Sequence, residues 1–293
     1  MKDLLFFAVS LCFVVPAAWA QGGLVYETKT VKSEILKMDR KYAIYLPPGY
    51  NESDQSYPVL YLLHGSGDDQ TGWVQFGQVQ HIADQTIAEG KAARMIIVMP
   101  DANTGTRGYF NVAQGNFNYE DFFFKELIPH IEKTYRVRSD RHYRAVSGLS
   151  MGGGGTIFYA LHRPDMFAAA APLSASTGNW GDVEQFKQRA TTNNSLAGLP
   201  DQQIADYFHR HSIESILDNA SEDAMRSIKS IRWYISCGDD DFLYEGNSRM
   251  HIVFRQNEIP HEYRVKDGGH TWTYWRMELP IVMEFISKSF NQF

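Results

Sequence analysis

Short apolar runs alternate along the chain with segments of helical period. KYAIYLPPGY reads as a strand stopped by Pro47 and Pro48, and YPVLYLLHG is apolar without a break until His64 and Gly65. ARMIIVMPD, YRAVSG, FAAAAPLSAS, IRWYISCGD and HEYRVKDGG continue the series. Runs that are apolar on both faces are the pattern of parallel strands covered by helices on either side. Between them, NYEDFFFKELIPHIEKTY places Phe122, Phe123, Leu127, Ile128 and Ile131 at helical spacing, with Asn118 as N-cap and acidic residues in the first turn. GGTIFYALHRPD and YWRMELPIVMEFISKSF are further helices, the second expected to kink or stop at Pro280. The alternation predicts an open, mostly parallel α/β sheet, on which ligands sit at the carboxyl ends of the strands.

No repeat or Pro/Ser-rich linker divides the chain, so one α/β domain over residues 21–293 is expected. Only Ser176 to Ser230 breaks the rhythm. That stretch is polar, helix-prone and too long for an ordinary connection, and it reads as a helical insertion near the site.

Composition narrows the class. The chain is 44% hydrophobic and 14% aromatic, a profile that supports a large core. A formal charge of -6 supplies no basic field to hold nucleic acid or anionic lipid. The first segment, MKDLLFFAVSLCFVVPAAWA, joins Lys2, a short apolar stretch and Ala18-Trp19-Ala20, the pattern of a signal peptide cut before Gln21. Its apolar stretch falls short of the roughly 20 residues that span a bilayer, so no membrane anchor is expected. Cys12 would leave with it, and Cys237 alone would remain, which excludes an internal disulfide. A periplasmic or secreted protein follows.

The chemistry concentrates in AVSGLSMGGGGTIFYALHRP. Gly148-Leu149-Ser150-Met151-Gly152 matches G-x-S-x-G between a strand and a helix, the setting in which a serine is lifted on a sharp turn above a sheet. A serine hydroxyl at neutral pH needs a histidine to take its proton and a carboxylate to orient that histidine, here in the chain order Ser, acid, His. Of ten histidines, His81, His130, His142 and His162 precede or adjoin the serine and read as surface or packing residues. His209 and His211 read as exposed in the insertion. His251 falls in a helix and His261 begins a strand. His270 follows a strand and a Gly268-Gly269 loop free to turn toward Ser150, and is the candidate base. For the acid, Asp239, Asp240 and Asp241 all lie just past a strand, and position leaves all three open. The oxyanion formed on attack needs two N–H donors, expected from Met151 and from Ser66 in the glycine-rich turn after His64. No H-E-x-x-H, paired cysteines or phosphate-binding glycine motif is present, so neither metal nor cofactor is expected.

In order, YLLHGSGDDQTGW, MIIVMPDA, FFFKELIPHIEKTYRV, RHYRAVSGLSMGGG, WYISCGDDDFLYEGN and IPHEYRVKDGGHTWTYW resemble an esterase family of α/β-hydrolases. That family contains feruloyl esterases of xylan-degrading bacteria, enterochelin esterase-like proteins, S-formylglutathione hydrolases and mycobacterial mycolyltransferases. The resemblance covers nearly all of the chain after the signal segment and is greatest to the feruloyl and acetyl-xylan types. It implies the α/β-hydrolase fold, Ser150 as nucleophile, His270 as base and Asp241, last of C-G-x-x-D, as acid. It supports Ser66 and Met151 at the oxyanion hole, although many relatives carry an apolar residue in place of Ser66. By analogy, Trp73, Tyr244 and Trp272 would line the acyl or sugar pocket. The expected substrate is a small ester or acylated oligosaccharide, hydrolysed through an acyl-enzyme. The same residues suit acyl transfer to a carbohydrate, or hydrolysis of a siderophore ester. A non-catalytic binding module on this fold would carry a broken triad.

Overall fold

The computed structural model describes residues 22–103, 108–190 and 196–290. The segment expected to be a signal peptide, residues 1–20, therefore lies outside the described residues. Eight strands form one sheet in the order β1-β2-β4-β3-β5-β6-β7-β8. Strand β1 (Leu24–Ser33) pairs antiparallel with β2 (Met38–Leu46), and β2 pairs antiparallel with β4 (Ile96–Pro100). The rest is parallel: β3 (Val59–Leu63), β5 (Arg144–Leu149), β6 (Ala169–Leu173), β7 (Arg232–Gly238) and β8 (His261–Lys266).

The long apolar runs become the strands β3, β4, β5 and β6, in which every residue is buried. Successive side chains point to opposite faces. Val59, Tyr61 and Leu63 enter one core, and Leu60 and Leu62 enter the other. The first core is closed by the helix that begins at α3 (Tyr119–Phe122), passes through a π-helical turn at Phe123–Leu127 and ends as α4 (Ile128–Thr134). It is also closed by α5 (Met151–His162) and α10 (Tyr244–Gln256). The second core lies under α2 (Val79–Ala88) and α11 (Trp272–Ser287), with α1 (Gly72–Gln75) at its edge. At about 1.5–3 kcal/mol for each fully buried aliphatic or Phe side chain, these two layers dominate the fold's stability.

Several expectations change. Strand β1 carries no sequence signal, because its side chains are mostly exposed or half-buried and leave no continuous apolar run. HEYRVK is a strand, but one at the sheet edge with no fully buried residue. Asn118 occupies the N-cap position without capping. Its amide donates to Gly115 O, and Asn111 Oδ1 accepts the Asp121 N–H instead. Helix α11 runs through Pro280 without interruption.

Between β6 and β7 the described residues of the insertion form four helices: α6 (Val183–Ala190), α7 (Asp201–Arg210), α8 (Ile213–Asp218) and α9 (Glu222–Ser230). A small third core of Ala190, Leu196 and Ile204 packs against Ala113, Phe186 and Tyr207. His211, expected to be exposed, is only 4% accessible. It lies among Phe110, Phe158 and Tyr207, and its Nδ1 hydrogen-bonds Tyr207 O.

Candidate active site

Ser150 stands between the last residue of β5 and the first of α5, at φ 54° and ψ −115°. Positive φ is costly for a residue with a Cβ, and such strain persists only where the surroundings over-determine it. Here the turn is so crowded that side chains are excluded on both sides. A Cβ on Gly148 would lie 2.6 Å from Gly152 O, and one on Gly152 would lie 2.6 Å from both Leu63 O and His64 O. The remaining glycines have their own reason. A Cβ on Gly153 would come within 2.8 Å of Ala175 Cα, one on Gly154 would overlap Ser176 O, and one on Gly155 would press on Leu63 and Tyr109. The glycine run lets α5 lie directly against the ends of β3 and β6.

The loops after β7 and β8 bring the other two groups to Ser150. His270 Nε2 is 2.9 Å from Ser150 Oγ, and His270 Nδ1 is 2.9 Å and 3.1 Å from the two carboxylate oxygens of Asp241. Burial pushes the Asp241 carboxyl up. Hydrogen bonds from His270, the Leu243 N–H and Ser174 outweigh that push and hold it below the usual range. An ionised Asp241 can only accept, so Nδ1 carries the proton and Nε2 is left to accept the Ser150 O–H. Asp241 is 1% accessible, whereas Asp239 and Asp240 are exposed. Burial and contact thus single out Asp241 among the three aspartates.

Met151 N opens α5, so the geometry of the helix leaves it without an intrahelical acceptor. Across from it, the turn after β3 comes close. A Cβ on Gly65 would lie 3.6 Å from Ser150 Cβ, and exposed Ser66 follows directly. This turn is held by His64, which the sequence does not single out. Its Nδ1 hydrogen-bonds Gly65 O at 2.7 Å, and its Nε2 accepts the Ala102 N–H at 2.9 Å. Burial pushes the His64 pKa down, despite the Gly65 carbonyl, and keeps the ring neutral with one donor and one acceptor.

The aromatic expectations divide. Trp73 is 0% accessible and its Nε1 donates to Leu63 O, so it offers no surface to a ligand and cannot line a pocket. It packs edge-on beneath Trp272, at 5.2 Å between ring centroids. Trp272 is half-buried and packs against both Phe76 and Trp275. Tyr244 is exposed at the start of α10, with its hydroxyl on Glu245. Phe242, which carries no distinguishing signal in the sequence, is 70% accessible and its ring is 4.5 Å from that of His270. Trp275 meets the same imidazole edge-on at 5.0 Å. A row of aromatic rings therefore runs from Phe242 through His270, Trp275 and Trp272 to Phe76.

A serine on a strand-to-helix turn of a mostly parallel sheet, with a histidine and an aspartate delivered by later loops, defines the α/β-hydrolase fold. A family model described as "Putative esterase" matches residues 33–285, and the chain belongs to this esterase family. It is 35% identical to a ferulic acid esterase of known structure, with a TM-score of 0.80 over 92% of this chain and 100% of the other. It is 39% identical over 141 residues to an endo-1,4-beta-xylanase/feruloyl esterase of Xylanibacter ruminicola, covering 46% of this chain and 19% of that protein. Over 247 residues it is 37% identical to Esterase Rv1288 of Mycobacterium tuberculosis, covering 78% of this chain and 52% of the relative. The chain thus spans about half or less of the length of these curated relatives.

Proposed function

We propose that the protein is a secreted serine esterase that removes feruloyl groups from plant cell-wall polysaccharide. The observation that carries the chemistry is the unbroken hydrogen-bonded line from Ser150 Oγ through His270 to Asp241. In this reading Ser150 attacks the ester carbonyl as His270 Nε2 takes its proton. The oxyanion is held by the N–H groups of Met151 and Ser66, and the intermediate collapses as His270 returns the proton to the leaving alcohol. Water, deprotonated by the same Nε2, then frees the acid from Ser150. Asp241 stays ionised throughout and stabilises the imidazolium.

The acyl group is inferred from two supports. A ferulic acid esterase of known structure is similar to this chain over 92% of its length, and an endo-1,4-beta-xylanase/feruloyl esterase over 46%. Exposed Phe242 lies against His270, and half-buried Trp272 and exposed Phe76 lie further along the same row, suited to a planar phenolic acid or to a sugar ring. Export rests on the Lys2, apolar and Ala18-Trp19-Ala20 pattern.

Ser150→Ala is expected to lower kcat on methyl ferulate by several orders of magnitude with the fold intact. An unchanged rate would remove the nucleophile assignment. A panel of methyl ferulate, acetylated xylan and feruloylated arabinoxylan fragments tests the substrate. Acetate release without ferulate release would reassign the acyl group. Ester formation on added sugar, with no free acid, would reassign the reaction to transfer.

A further inference from the structure

A cavity of about 470 Å³ lies between α2 and α11, a size within the range of small-molecule sites. Gln78, His81 and Gln85 follow one face of α2, and Thr273 and Met277 share one face of α11. All five are exposed, while half-buried Ile82 and Pro280 give the cavity an apolar floor.

This cavity is continuous with the row of rings at the catalytic histidine. From His270 the row steps to Trp275 at 5.0 Å, to Trp272 at 5.3 Å and to Phe76 at 5.9 Å between ring centroids. Phe76 is 50% accessible, so its ring is open to a ligand. The cavity begins at these last two rings. Thr273 follows Trp272 in the chain, and Gln78 lies two residues past Phe76. Arg276, one helical turn after Trp272, donates from Nη1 to Phe76 O at 2.9 Å and from Nη2 to Thr273 Oγ1 at 3.2 Å. Two of its five N–H groups thus serve neutral oxygens, and others remain for hydroxyls.

The lining selects the class of ligand. Amide, imidazole and guanidinium groups stand over an apolar floor, and the entrance passes exposed aromatic surface. That combination matches a saccharide, whose hydroxyls need donors and acceptors and whose C–H faces pack on apolar rings. A polyanion finds little here, because Lys91, the cation beyond the C-terminal end of α2, is paired with Glu89 at 2.7 Å.

We propose that the α2–α11 cavity is a subsite for the polysaccharide chain that carries the ester, reached from His270 across Trp272 and Phe76. The inference rests on the reading of the protein as an esterase of acylated polysaccharide. His270 Nε2 returns a proton to the leaving alcohol, so the sugar that bears the ester starts beside this ring. The sugars that follow stack on Trp272 and Phe76 and enter the cavity, where His81, Gln85 and Arg276 bond their hydroxyls. Contacts this far from the reacting ester are equally strong before and at the transition state, so they lower KM and leave kcat alone.

Feruloylated arabinoxylan fragments of increasing length test this, with methyl ferulate as the reference. In the wild type, KM should fall about ten-fold or more from methyl ferulate to the longest fragment at similar kcat. His81→Ala combined with Gln85→Ala changes two exposed side chains and should abolish most of that fall at an unchanged melting temperature. KM does not depend on the fraction of protein that folds, so a poorly folding variant still gives a reading. A wild-type KM that ignores fragment length would overturn the proposal, as would a length dependence that persists in the double variant. Calorimetric titration of Ser150→Ala with acyl-free xylo-oligosaccharides separates the subsite from the choice of acyl group. Binding that weakens about ten-fold when His81→Ala and Gln85→Ala are added would support the subsite even if the enzyme released acetate and no ferulate, a result that overturns the acyl assignment alone. Ferulate release with no binding of the saccharide would overturn the subsite alone.

Discussion

Asp239, Asp240 and Asp241 are adjacent and chemically identical, and the turn after β7 sorts them by exposure. Asp239 spends Oδ1 on the Gly268 N–H and Asp240 faces solvent, while Asp241 is buried against His270 Nδ1. Asp241→Asn should lower kcat by on the order of 10³ to 10⁴, because the amide favours the wrong histidine tautomer. Asp239→Asn and Asp240→Asn should stay within about two-fold, as surface changes usually do. Equal losses at all three positions, measured as kcat on one ester, would contradict the geometry. Spacing could not make this choice, since a one-residue step in a turn changes direction without changing composition. Ser150 and His270 were legible because a glycine-flanked serine and a glycine-freed histidine each leave a local pattern. His64 leaves none, because it matters through the N–H of Ala102, a partner distant in the chain.

Among the elements, α5 shows how far local propensity yields to packing. Glycine costs roughly 1 kcal/mol relative to alanine inside a helix, so Gly153→Ala should stabilise an isolated α5. In the folded protein the new methyl would meet Ala175 Cα at 2.8 Å and Leu173 O at 2.9 Å. The loop after β6 would have to retreat, and that loop holds Ser150 at both its N–H and its carbonyl. Gly153→Ala is therefore expected to destabilise by about 1–3 kcal/mol, as overpacking does, and to slow catalysis as well. A more stable and fully active variant, by denaturant titration and steady-state kinetics, would refute this account. The parallel strands were legible because burial on both faces forces continuous apolar runs. Strand β1 was not, because its pairing with β2 is made by backbone groups, which any side chain permits.

Across the whole molecule, stability should begin to fall in acid before the ordinary carboxylates titrate. Burial lowers the pKa of His64, His130, His211 and His251, with His211 brought to about 4. In the unfolded chain such residues titrate near about 6.5. Below that value the unfolded state binds more protons than the folded one, so stability rises with pH across this window and falls as pH drops toward the folded values. The melting temperature should accordingly decrease between pH 7.5 and pH 5, and a constant melting temperature over that range would contradict the assignment of these rings as neutral. His211→Phe, which removes one of these shifts, should flatten the profile.

The sequence by itself determined the alternating α/β layers and the serine turn. It also determined the chain order of nucleophile, acid and base, because these depend on local period and on residues within a few positions of one another. The tertiary structure alone decided that Trp73 is packing rather than lining, that His211 is buried, and why the helix after Ser150 needs glycine beyond the motif; it also supplied the burial and contact with His270 that set Asp241, implied by the family resemblance, apart from Asp239 and Asp240. Each of those outcomes depends on the distance between segments far apart in the chain, set when β3, β5, β6 and β7 align in one sheet and bring their carboxyl ends together.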